Sequence, residues 1–273
     1  MRLPIFHVDA FTGEVFRGNP AAVVPLERWL PDHVMQAIAA ENNLAETAFY
    51  VPVKGEPGAA YHIRWWTPTM EVALCGHATL GTGHVLREHL GIKFDRVAFK
   101  SRSGILAIEA GPEGRLVLDF PAMGAVEQEA PSGLAEALGI EPRAVFEADQ
   151  QVNAEGVLMC LLESERDVHG VEPDFAALKH MPGGCVVITA PGDECDFVSR
   201  FFAPGAGIDE DPVTGSTHCL LAPFWAARLG KKKLRALQVS RRGGELLCEV
   251  IDKRVRIAGR AVTYLKGEIE VPG

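Results

Sequence analysis

The chain has 273 residues, 47% hydrophobic and 23% charged, with a formal net charge of −9. This balance suits a globular protein with a core, and the acidic excess argues against a nucleic-acid partner, which would ask for a basic face. No stretch of about 20 residues is continuously apolar, so no membrane span is expected. The opening Met1-Arg2-Leu3-Pro4-Ile5-Phe6 turns polar too soon for a signal peptide. The six cysteines (75, 160, 185, 195, 219 and 248) form no Cys-x-x-Cys pair, so reduced thiols and a cytoplasmic location are expected.

In chain order, β-branched or alternating runs predict strands at 5–8, 48–53, 61–66, 97–100, 105–108 and 116–120. A periodic segment at 34–40 predicts a helix that leaves into the strand beginning near 48. The texture returns with strands at 157–162, 186–190, 197–202, 246–251, 255–257 and 262–265. The segment 121–133, rich in Pro, Gly, Ala and Glu without a period, marks the expected boundary between a first lobe, 1–120, and a second, 121–273. Whether the last strand crosses back to the first lobe is open.

The two halves repeat each other. Arg64-Trp65-Trp66-Thr67-Pro68 matches Arg200-Phe201-Phe202-Ala203-Pro204, and Arg102-Ser103-Gly104-Ile105-Leu106 matches Arg242-Gly243-Gly244-Glu245-Leu246. Between them, Cys75-Gly76-His77-Ala78-Thr79 corresponds to Thr214-Gly215-Ser216-Thr217-His218, at the same spacing from Gly91 and Gly230. Residues 72–86 and 212–227 contain no Asp, Glu, Lys or Arg. A helix apolar around its whole circumference is buried on all sides. Gly91 and Gly230 stand where C-terminal caps belong, and Pro223 should kink the second helix or displace its start. The expected fold class is therefore α+β: two similar lobes, each of many short strands around one buried helix.

Both helices open on a glycine step, Gly76-His77 and Gly215-Ser216. Glycine admits a ligand close to the backbone, and a helix N-terminus offers unpaired N–H groups and partial positive charge to an anion. Gly76, Gly215 and Ser216 are thus candidate carboxylate-binding residues, although a serine there also reads as an N-cap. His77, Asp211 and Glu46 are candidate acid/base groups, each with a plainer reading as a cap, a satisfied core group or a solvated carboxylate. His77 and His84, seven apart, share a helix face, but no third ligand is evident and no metal is expected. A hydrolase pairing Cys75 or Ser216 with His77 is disfavoured, because residues two apart at a helix start rarely face each other and no nucleophile elbow is present. No Gly-x-Gly-x-x-Gly follows a strand, which argues against a dinucleotide enzyme.

Four motifs in order carry a resemblance: Val8-Asp9-Ala10-Phe11-Thr12 with Gly18-Asn19-Pro20-Ala21; Ala45-Glu46-Thr47; Cys75-Gly76-His77-Ala78-Thr79; and Asp211-Pro212-Val213-Thr214-Gly215-Ser216. Over nearly its full length the chain resembles the phenazine-biosynthesis PhzF-like isomerases, and more distantly the diaminopimelate epimerases and proline racemases. The resemblance implies two lobes, each a curved mixed sheet wrapped around a central helix, with the site in the cleft. It implies a cofactor-independent isomerase acting on a small carboxylate-bearing metabolite, and a homodimer. Glu46 would then take a proton from carbon and return it elsewhere on the same substrate, with His77 and Asp211 orienting the substrate or shuttling protons. Racemases of this group use two cysteines, whereas here Cys75 faces Thr214 as its mate. That favours one-base chemistry over a thiol epimerase using Cys75. A further alternative is a binding protein of the same fold that has lost the chemistry.

Overall fold

The computed structural model describes residues 1–148 and 156–271. It divides into two compact units: Met1–Asp119 together with the chain from Ala258 onward, and Phe120–Ile257. The expected second lobe ran to 273; instead the C-terminal strand belongs to the first unit, because it pairs along the N-terminal one. No helix of the described residues is long and apolar enough to cross a membrane.

The first unit contains β1 (Arg2–Ala10), β2 (Asn19–Pro25), α1 (Asp32–Asn42), β3 (Glu46–Pro52), β4 (Tyr61–Trp66), β5 (Glu71–Val72), α2 (Gly76–Glu88), β6 (Arg96–Ser101), β7 (Gly104–Ala110) and β8 (Leu116–Pro121). The second contains β9 (Ala125–Gln128), α3 (Leu134–Leu138), β10 (Ala144–Ala148), β11 (Val157–Leu161), α4 (Glu165–Gly170), α5 (Phe175–Leu178), β12 (Cys185–Pro191), β13 (Phe197–Ala203), β14 (Ile208–Asp211), α6 (Gly215–Leu229), β15 (Lys233–Gln238) and β16 (Gly244–Ile251). The chain then forms β17 (Arg254–Gly259) and closes with β18 (Ala261–Glu270) in the first unit. Both units mix parallel and antiparallel pairs, so the fold is α+β.

In the first unit β18 pairs antiparallel with β1, and β1 with β2. β2 and β3 run parallel through the crossover helix α1, as parallel neighbours require. Then come antiparallel β3–β4, parallel β4–β6 and antiparallel β6–β7 and β7–β8. Met35, Ile38 and Ala39 of α1 pack on one face of this sheet against Phe49, Val51 and Trp66. Strand residues alternate faces, so Glu46, Ala48 and Tyr50 turn to the other side. That side holds α2, which packs on β1, β2, β3, β7 and β18 and is buried from His77 to Gly83.

The second unit repeats the pattern: antiparallel β10–β11, parallel β11–β12, antiparallel β12–β13, parallel β13–β15 and antiparallel β15–β16. Its central helix, α6, stacks Trp225 on Phe197 at 5.7 Å, and the Trp225 indole N–H donates to Thr189 Oγ1 at 3.0 Å. α6 starts at Gly215 and runs through Pro223 to Leu229. Proline leaves the carbonyl four residues back without its helical donor; that carbonyl, of Cys219, accepts the Met123 N–H at 2.9 Å instead. Gly230 is the expected left-handed cap, at φ 66°. Gly91 lies two residues beyond the cap of α2, His89, where its φ of 67° lets the Ile92 N–H reach the Leu86 carbonyl.

Candidate active site

Glu46 is the first residue of β3. The turn before it is set by Asn43, which caps α1 at φ 49°, and by the Asn42 carboxamide, which donates to Thr47 Oγ1 at 3.0 Å. The Glu46 side chain is only 14% exposed, and its Oε2 lies 3.1 Å from His77 Nε2. That is ion-pair distance, but no hydrogen bond to Oε2 is aligned. His77, the second residue of α2, is buried. Its other nitrogen, Nδ1, lies 3.2 Å from Asn19 Nδ2, on the first residue of β2. As placed, the Asn19 amide donates to Nδ1, which leaves the ring proton on Nε2, facing Glu46.

Cys75 completes the group. Its Sγ is 3.5 Å from Nδ1 and 3.9 Å from Nε2 of His77. The expectation that residues two apart at a helix start do not face each other fails here. Cys75 is the N-cap, in extended conformation at φ −147° and ψ 110°, so its side chain leaves the helical spiral and folds onto His77. Burial pushes the Cys75 thiol up to about 11, with the Glu46 carboxylate adding to the rise. Burial alone would lower the imidazole of His77; Cys75 and the Glu46 carboxylate outweigh it and hold the ring well above its ordinary value. Near neutral pH the thiol keeps its proton, so the carboxylate supplies that stabilisation.

In the second unit, Asp211 ends β14 and its Oδ2 accepts the Thr214 hydroxyl. Thr214, the residue equivalent to Cys75, is the N-cap of α6. Gln238, buried at the end of β15, ties the turn together. Its Oε1 accepts the Thr214 N–H at 2.8 Å, and its Nε2 donates to the Asp211 carbonyl at 2.8 Å and to Thr214 Oγ1 at 3.2 Å. Ser216 is therefore not the cap; it is the exposed second residue of the helix, after Gly215. Neither α2 nor α6 has a side-chain cap on its first-turn N–H groups. The predicted residues thus form two groups, one per unit: Glu46, Gly76 and His77 in the first, Asp211, Gly215 and Ser216 in the second. His84 lies apart from the first group, with its Nε2 on Thr263 Oγ1 at 2.9 Å.

Two participants escaped the sequence reading. Asn19 was visible only as part of a motif, with no role. Gln238 carries no local signal, since only the fold brings β15 beside Thr214.

A buried carboxylate, imidazole and thiol at the mouth of a central helix, in a repeated α+β fold, define an acid/base site of the epimerase-like kind. The fold alone is shared with a hydroxyproline epimerase from Agrobacterium vitis, at a TM-score of 0.60, 14% identity, and coverage of 98% of this chain and 92% of that one. A crystal structure of a phenazine biosynthesis protein of the PhzF family from Enterococcus faecalis superposes with a TM-score of 0.92, 44% identity, and coverage of 99% and 100%. An uncharacterized isomerase from Pseudomonas aeruginosa is 50% identical over 99% of this chain and its own full length. The family model of phenazine biosynthesis-like proteins, PhzC-PhzF, matches residues 8–267. The chain belongs to that family.

Proposed function

We propose that the protein is an isomerase that moves a proton on a small carboxylate-bearing metabolite, with Glu46 as the proton-transferring residue. The observation that carries this reading is the buried Glu46 carboxylate, 3.1 Å from His77 and with no aligned hydrogen bond on that oxygen. Glu46 takes a proton from a substrate carbon, the C–H pair moves into the adjoining π system, and the same carboxyl returns the proton to another carbon. His77 holds the carboxylate in place and balances its charge. The N-terminal turns of α2 and α6, with Gly76, Gly215 and Ser216, are assigned to the substrate carboxylate. They assist the reaction only insofar as they bind the developing charge better than the ground state. Asp211 is assigned the second acid/base or orienting role. No group from outside the chain enters the scheme.

A thiol epimerase is opposed by the buried Cys75, whose thiol is pushed up to about 11, and by the Thr214 hydroxyl at the equivalent position. A homodimer is part of the proposal, supported by the exposed Tyr264 and Leu265 on β18; sedimentation velocity checks it.

The reaction is tested by incubating wild type, Glu46→Gln and Asp211→Asn with cyclic and amino carboxylates in D2O and reading C–H exchange by mass. Exchange by wild type that disappears in Glu46→Gln is the expected result. Equal exchange in both removes Glu46 as the base. Tight binding of a carboxylate without exchange would support instead a binding protein of the same fold.

A further inference from the structure

Glu46, Cys75 and His77 also present one carboxylate oxygen, one thiol sulfur and one imidazole nitrogen, all within 4.8 Å of one another. In tetrahedral zinc sites, Zn–S of about 2.3 Å and Zn–N or Zn–O of about 2.1 Å place neighbouring donor atoms roughly 3.4–3.6 Å apart. Here Sγ and Nε2 are 3.9 Å apart, and Nε2 and Oε2 are 3.1 Å apart. These distances straddle the required ones, and shifts of a few tenths of an ångström bring all three donors to one point. Elements packed on the same core hold them: the start of β3 and the N-cap and first turn of α2. Glu46 Oε2 is a buried acceptor without an aligned donor, a demand that a cation would meet.

We propose that Glu46, Cys75 and His77 bind a zinc ion, and that the zinc-bound protein is an arrested form of the acid/base site. The donor set suits zinc, which takes thiolate, imidazole and carboxylate together, and does not suit magnesium or calcium, which take oxygen ligands. Three protein donors leave the fourth tetrahedral position to water or to a ligand carboxylate. On binding, the Cys75 S–H and the His77 Nε2–H bonds break, their protons pass to solvent, and both electron pairs are donated to the metal. No redox change is involved. Asn19 belongs to the site as an orienting group. With its carboxamide turned to offer oxygen to Nδ1, it holds the proton on that nitrogen and leaves the Nε2 lone pair for the ion. A ligated Glu46 can no longer accept a proton from carbon. The arrest therefore rests on the proposed role of Glu46, whereas the metal site itself does not.

The test is a cobalt(II) titration of the reduced, metal-free protein, with no substrate present, followed by competition with zinc. The expected result is one equivalent bound, with intense tetrahedral visible bands and a thiolate-to-cobalt charge-transfer band. Zinc should bleach both. Cys195→Ser, which alters a thiol outside the group, should keep the spectrum, and Cys75→Ser should lose the charge-transfer band. Glu46→Gln should keep that band but weaken binding at least about tenfold. A wild type without the band, or a band that survives Cys75→Ser, overturns the proposal. If Cys75→Ser does not fold, Glu46→Gln decides: affinity equal to wild type overturns the site. Failure of the deuterium-exchange assay leaves this titration untouched, and the two ideas can fail separately.

Discussion

His77 is the residue on which the first group turns. Its two nitrogens face different chemistry, a carboxylate on one side and an amide that either donates or accepts on the other. Replacing Asn19 by Asp puts an acceptor-only group against Nδ1, which favours the doubly protonated ring. The His77 pKa should rise further in Asn19→Asp and fall in Asn19→Ala; a nitrogen-15 NMR titration of the imidazole reads both. His218 is the opposite case. It is fully buried, its Nδ1 lies 2.8 Å from the Thr214 carbonyl, and burial lowers its pKa to about 4. The folded protein therefore keeps His218 neutral where the unfolded chain, with an ordinary value near 6.5, is already protonated. Its contribution to stability is complete above pH 6.5 and is lost as pH falls from 6.5 to 4, up to about 3 kcal/mol. His218→Gln should flatten the fall in unfolding free energy across that window, as measured by urea titration at successive pH values. Glu46, His77 and Asp211 were legible because each sits inside a motif. The contact of Cys75 with His77 was not, because helical spacing rules fail at an N-cap, whose backbone is extended.

At the scale of elements, each unit carries the same fork. Arg64 Nε and Nη2 meet the Glu71 oxygens at 2.7 and 2.9 Å; Arg200 Nε and Nη2 meet those of Glu210 at 2.8 and 3.0 Å. Both forks tie a long strand to a short one, β4 to β5 and β13 to β14, four residues before the N-cap of the central helix. Such bidentate pairs fix geometry as well as charge. All four side chains are less than a fifth exposed, so removing one partner strands a mostly buried charge. Glu210→Ala should cost about 3 kcal/mol in denaturant unfolding and should loosen the turn holding Asp211. The loop into β2 is equally exacting. Gly18 has φ 64°, and a Cβ there would lie 2.1 Å from the Ala10 carbonyl oxygen. Gly18→Ala should therefore destabilise by more than about 2 kcal/mol and displace the adjacent Asn19, which thermal denaturation with the His77 titration would register. The sequence disclosed both buried helices and twelve strands, but not β2, β5, β9, β10, β14 or β15. β2 opens Asn-Pro-Ala-Ala, weak strand formers rescued by neighbours on both sides. β5 and β14 are short and polar, and exist because β4 and β13 pair with them. β15 alternates properly, with Leu234, Ala236 and Gln238 buried, but its lysine and arginine disguise it.

At the scale of the molecule, the internal repeat shows in pairing order as well as in sequence. The parallel–antiparallel–parallel succession β2–β3–β4–β6 returns as β11–β12–β13–β15. That correspondence was readable from the matched Arg-aromatic-aromatic strands and the charge-free helices. The ownership of the last strand was not, since no local pattern reports a partner at the far end of the chain. β18 pairs with β1 along its length, from Arg2 opposite Glu270 to Ala10 opposite Ala261. A chain ending at residue 257 should therefore leave the first unit unfolded while the continuous second unit retains slowly exchanging amides, a distinction that hydrogen exchange read by NMR would make.

The same strand pair sets an order of events during synthesis. β1 leaves the ribosome first and β18 almost last, so the first unit waits for nearly the whole chain, tens of seconds at about 5–20 residues per second. The second unit, continuous in sequence, is complete before then. Throughout that interval one edge of β1 is an unpaired template for any other strand. A nascent chain that stalls after the second unit is thus half folded and adhesive, and it is in that interval, rather than after release, that a chaperone has most to protect.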